Sequence, residues 1–161
     1  MAVFVISSTV ALISTILVIT RRNPVHALLY LILSLLAVAV LFYSIGAPLA
    51  AAFEVIVYAG AIMVLFVFVV MLLNPGALAS GGPRRRPLFW LVPALLGLVL
   101  LGELVYAFTR LPPRPLASGV VPPQQVGLAL FGPYLLGVEL ASFLLLAGLV
   151  GAYHIGRRKP S

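Results

Sequence analysis

Five long apolar runs, each closed by a short polar or Gly/Pro-rich stretch, organise this chain. A helix that crosses the hydrocarbon core of a bilayer needs about 20 mostly apolar residues. Residues 2–20, 25–46, 49–73, 88–109 and 128–155 each supply them. The pattern predicts an all-α integral membrane protein with five transmembrane helices, residues 1–161 forming a single membrane domain. The punctuation between runs supports this division. Asn23 and Pro24 suit the cap and first residue of the second helix. Gly46-Ala-Pro48 reads as a tight reversal, and Asn74-Pro-Gly76 ends the third run. Five prolines between Leu111 and Gln125 argue against a helix there, so residues 110–126 are expected to form an extended external loop. The first run has no basic residue before it and Arg21–Arg22 after it, which predicts an uncleaved anchor rather than a signal peptide.

Composition narrows the possibilities. With 63% hydrophobic and 8% charged residues, the chain cannot be a water-soluble domain, which carries about 25% charged residues. Its ten basic residues give a net charge of +7 but fall in clusters between the runs: Arg21–Arg22, Arg84–Arg86, Arg110 with Arg114, and Arg157–Lys159. No basic stripe interleaved with aromatics is present, so nucleic acid is not an expected partner; the lipid bilayer is. Placing the N-terminus outside and the C-terminus in the cytoplasm leaves eight basic residues inside against two outside, as the positive-inside rule favours. Trp90 and Tyr153 then fall near inner ends, and Tyr43 and Tyr106 near outer ends. The only acids are Glu54, Glu103 and Glu139, with no Asp and no Cys. That inventory excludes an iron–sulfur cluster, a thiolate site or a carboxylate cage for a metal within this chain.

An ionisable side chain at the centre of a membrane helix costs at least about 2.5–3.5 kcal/mol, so each glutamate asks for a reason. Glu54 is the most informative, because Tyr58 follows it by one α-helical turn and the two share a face that continues to Ala61 and Leu65. A carboxylate and a phenol on one face suit a hydrated proton path; an interhelical packing contact is the plainer alternative. Gly60, between Ala59 and Ala61, permits either close helix packing or a local π-bulge. A bulge there would rotate the side chains beyond it by about 100°, one residue's share of a 3.6-residue turn. Glu139 follows the Gly132–Pro133 break in the last run and is open to a proton-path or a packing role; Glu103 reads as interfacial. His26 and His154 read as interfacial residues rather than a haem pair. Gly137 with Ala141, Ala147 with Gly151, and Gly148 with Ala152 mark close helix neighbours for the last run.

Two segments carry a resemblance. Asn23-Pro-Val-His-Ala-Leu-Leu29, followed by Phe53-Glu-Val-Ile-Val-Tyr-Ala-Gly-Ala-Ile-Met-Val-Leu-Phe-Val-Phe-Val-Val-Met-Leu-Leu-Asn74, closely resembles the J-type (NuoJ) membrane subunits of proton-pumping NADH:quinone oxidoreductase, respiratory complex I, the subunit 6 family of mitochondria. The similarity covers about the first 74 residues. It implies a non-catalytic subunit of the membrane arm in a bacterial inner membrane. Expected neighbours are A-, H-, K- and N-type and antiporter-like subunits. The chain would hold no cofactor of its own, with flavin, iron–sulfur clusters and quinone in partner subunits. It also implies a π-bulge around Tyr58–Gly60 that gates a water path, and it matches Glu54 to a family position.

Two rival readings remain open. A small proton-coupled exporter would use Glu54 as its carrier, but five helices give no evident inverted repeat. A purely structural scaffold would use the glutamates as packing bonds alone.

Overall fold

The computed structural model describes residues 2–21, 23–73, 88–110 and 119–157. Asn74-Pro-Gly76, Arg22, Arg84–Arg86, Arg114, Lys159 and the side chains of Trp90 and Arg110 lie outside the described residues. The described chain is helical: α1 (Ala2–Thr20), α2 (Pro24–Ser44), α3 (Pro48–Leu73), α4 (Leu88–Arg110), α5 (Pro123–Leu130) and α6 (Leu135–Gly156). Helices α1, α2, α3 and α6 are long and apolar enough to cross a membrane, and α4, with its apolar stretch Leu91–Tyr106, is a fifth candidate. The chain divides into two compact units, Met1–Val120 and Val121–Ser161.

In the first unit α2 is the hub, packing along α1, α3 and α4. Its start follows from local chemistry. Asn23 Oδ1 accepts the Val25 N–H at 2.9 Å, while Pro24 occupies the first turn, where no backbone donor is needed. Its end is a Schellman turn, with Gly46 N–H donating to Tyr43 O and Ala47 N–H to Phe42 O, and Gly46 at φ +89°. Gly46 is also pressed against other backbone: a Cβ there would sit 2.5 Å from the Gly119 carbonyl oxygen. The core is made of modest side chains. Val10, Ala37 and Leu100 are buried together, flanked by Ala11, Leu33, Leu36, Leu96 and Val99. Small residues let helix backbones approach closely where lipid supplies no hydrophobic drive.

The second unit departs from the expected single span over 128–155. Helix α5 starts at Pro123, and a turn at Phe131–Tyr134 separates it from α6. Pro122 and Pro123 begin a helix rather than prevent one, since Pro123 sits in the first turn, so the expected extended loop is helical from that residue. Gly132 fits the turn because a Cβ there would meet Leu128 O at 2.7 Å. The residues of α6 make few contacts inside this unit, and none of them is buried.

Candidate functional site

The third helix is not uniformly α-helical. It begins as α-helix at Pro48–Phe53, is π-helical over Glu54–Ile62 and returns to α-helix at Met63–Leu73. In the π segment backbone bonds run from one residue to the fifth before it, as in Met63 N–H to Tyr58 O. Each turn therefore takes in more residues than the 3.6 of an α-helix. Glu54 opens the segment and is buried, at 9% exposure.

The π geometry changes which residues share a face with Glu54. The face expected from α-helical spacing runs through Tyr58, Ala61 and Leu65. In the structure Tyr58 is 51% exposed, Ala61 and Leu65 are exposed, and no hydrogen bond joins Glu54 to Tyr58 among the described residues. The buried positions of the helix are Ala51, Glu54 and Met63. Glu54 and Met63 are nine residues apart, two and a half turns of an α-helix, which would put them on opposite sides. The wider π turns bring both into the interior. Gly60 belongs to the same geometry: a Cβ on it would lie 3.1 Å from Val55 O, the carbonyl one π turn back. A methyl group at that distance crowds the turn, so a glycine relieves it.

The other two glutamates sit in different environments. Glu103, read as interfacial, is 7% exposed and accepts a hydrogen bond from the Ser7 hydroxyl at its Oε2, 2.7 Å away. Face decides this burial: Glu103 continues the inward stripe of Leu96 and Leu100. The available signal was the seven-residue spacing of Ser7 and Ser14, both fully buried on α1. Glu139 is exposed on α6, and the neighbouring Ser142 hydroxyl bonds to its backbone carbonyl rather than to its carboxyl group. Gly137, Gly148 and Gly151 have open space where a Cβ would stand, so within this unit the small-residue faces of α6 have no close neighbour.

Comparison with known proteins places this arrangement in context. Residues 14–155 match the family of NADH-ubiquinone/plastoquinone oxidoreductase chain 6. The chain is 54% identical to NADH-quinone oxidoreductase subunit J of Pseudomonas aeruginosa over 158 residues, covering 96% of this chain and 95% of that protein. It is 51% identical to subunit J of Escherichia coli K12, covering 97% of this chain and 86% of that protein. Subunit J of Buchnera aphidicola from Schizaphis graminum is 46% identical, covering 98% of each.

Proposed function

The chain belongs to the NADH-ubiquinone/plastoquinone oxidoreductase chain 6 family, as a multi-pass membrane subunit of the J type, and on that premise we propose that it couples NADH:quinone electron transfer to proton translocation by gating in α3. The observation that carries this reading is the π-helical stretch Glu54–Ile62, which starts at a buried carboxyl group and ends against a buried Met63. Shortening its turns to α-helical ones moves Glu54 and Met63 toward opposite sides of α3. That is a discrete two-state change at one buried acid, which suits a switch between a dry and a hydrated path. Glu54 is then the proton-path residue, Tyr58 the phenol on the outer side of the same segment, and Gly60 the position that permits the wide turn. Glu139 is assigned to contact with a partner helix.

In this proposal the chain carries no redox group, and flavin, iron–sulfur clusters and quinone belong to partner subunits. The neighbours are A-, H-, K- and N-type and antiporter-like subunits in a bacterial inner membrane, with the N-terminus outside and the C-terminus in the cytoplasm. The reading is supported by eight of ten basic residues falling on one side of the spans.

The test is Gly60→Ala in the assembled complex. The added methyl crowds Val55 O and favours α-helical turns. The gate reading expects normal assembly, NADH:quinone turnover that persists, and proton pumping reduced several-fold. Lost assembly, with normal pumping by whatever complex does form, would instead point to a scaffold. Normal assembly with unchanged pumping would remove Gly60 from the mechanism.

A further inference from the structure

Helices α1, α2 and α4 enclose polar groups that α3 and its gate do not use. They lie in layers along the bundle. Nearest the Ala2 end of α1 is the Ser7–Glu103 hydrogen bond. One turn along comes an apolar layer of Val10, Ala37 and Leu100. Beyond it Ser14 is buried on α1, beside the Thr15–Ser34 hydroxyl pair at 2.8 Å and the Ser34 bond to Ala11 O at 3.3 Å. At the far end, Arg21 lies over the ring of the buried Tyr30, 5.3 Å from its centroid. All three helices agree on this order. Ser7, Val10 and Ser14 descend α1; Ala37, Ser34 and Tyr30 descend α2; Glu103 and Leu100 descend α4.

Two of these buried atoms, Glu103 Oε1 and Ser14 Oγ, have no hydrogen-bond partner among the described residues. They lie on opposite sides of the Val10 layer. Buried polar atoms are paired with protein or with ordered water, and leaving one bare is costly. Water at Oε1 would stand beside the carboxyl group that accepts from the Ser7 hydroxyl, and Ser14 is the chain neighbour of Thr15, whose hydroxyl pairs with Ser34. We propose that the α1/α2/α4 seam holds internal water and exchanges protons at Glu103, with the Val10/Ala37/Leu100 layer as the barrier to passage along it. A proton arriving on hydronium forms an O–H bond at Glu103 Oε1 as the hydronium reverts to water, and its departure reverses the step. No other reactant is consumed. The site is separate from Glu54, which lies on a different helix packed against α2.

The inference rests on the chain's place in a proton-translocating complex, and it is tested without turning the pump over. The complete complex is reconstituted in liposomes, without NADH, and the passive decay of an imposed pH gradient is followed. Val10→Thr keeps the shape of the side chain and adds a hydroxyl to the barrier, and Ala37→Ser does so from α2. Either variant should speed the decay about fivefold to tenfold, the factor that one added hydrogen bond for passing water supplies. Adding Glu103→Gln to Val10→Thr should return it to the wild-type rate. Assembled variants that leak no faster than wild type overturn the proposal. A second measurement stands if the barrier variants do not assemble. Infrared difference spectra between acid and alkaline pH should contain a carboxyl C=O band that downshifts in D2O and is missing in Glu103→Gln. Its absence from the wild-type complex overturns the proposal. Neither experiment involves NADH turnover, so failure here leaves the α3 gate standing, and unchanged pumping in Gly60→Ala leaves the seam standing.

Discussion

A carboxyl group buried in a membrane protein is tied to function by what its removal does. Glu54→Gln keeps the shape and hydrogen-bonding capacity of the side chain but cannot take up or release a proton. If Glu54 belongs to the path, the variant complex assembles and its proton pumping falls by about a hundredfold or more, the size of effect general acid–base groups usually supply. Pumping measured by quenching of a pH-sensitive dye in inverted membrane vesicles decides the matter, and unchanged pumping with normal assembly takes Glu54 out of the path. Gly46 makes a different forecast, about stability. Its φ of +89° and its approach to the Gly119 carbonyl leave no room for a side chain. The left-handed conformation alone costs an L-residue about 1–2 kcal/mol, and the clash adds to it. Gly46→Ala should lower the thermal stability of the complex and leave the pumping ratio of the surviving fraction unchanged.

At the level of helices, much of the architecture is legible in sequence because the bilayer imposes a length. The apolar run from Ala2 to Thr20 is α1 without adjustment, and Asn23–Pro24 and Gly46-Ala-Pro48 bound α2 as their capping chemistry requires. The Gly132–Pro133 break is also visible, although a helix ahead of it is not, because proline in a first turn looks the same on paper as proline in a loop. The inside of α3 is harder to read. No residue type encodes a π turn, and Val, Ile and Ala fit either ladder, so α-helical spacing pairs Glu54 with Tyr58 when the structure buries it with Met63. The Ala59-Gly60-Ala61 run leaves close packing and a π-bulge both open, and the resemblance to J-type subunits favoured the bulge. The burial of Glu103 against Ser7 was not legible for a related reason: distance from a helix end is legible, whereas the direction a side chain faces depends on which neighbours pack there. The Glu54–Met63 relation gives a forecast at this scale. A cysteine at Met63 should resist alkylation by water-soluble reagents while the π segment persists, and should become reactive in Gly60→Ala if that variant restores α-helical turns.

For the whole molecule, the dominant feature is apolar surface. Leu136, Leu140, Phe143 and Leu144 on α6, and Val64, Leu65, Phe66 and Leu72 on α3, are all exposed in the isolated chain. Lipid accepts such surface, but it does not readily accept the exposed Glu139 among those residues of α6. A tagged copy purified in mild detergent from native membranes should therefore bring other membrane subunits with it, together with flavin and iron–sulfur signals and NADH:quinone activity. Recovery of a lone chain or a small homo-oligomer would overturn the assignment to a larger complex. The Ser7–Glu103 hydrogen bond has a consequence for biogenesis. Its partners are 96 residues apart, and chains enter the membrane from the N-terminus as they are made. Insertion in chain order would put α1 and α2, with the Ser7 hydroxyl, in the bilayer before α4 arrives. An acid that would be expensive to insert alone finds its donor waiting, so the order of helices along the gene is itself part of how Glu103 is accommodated.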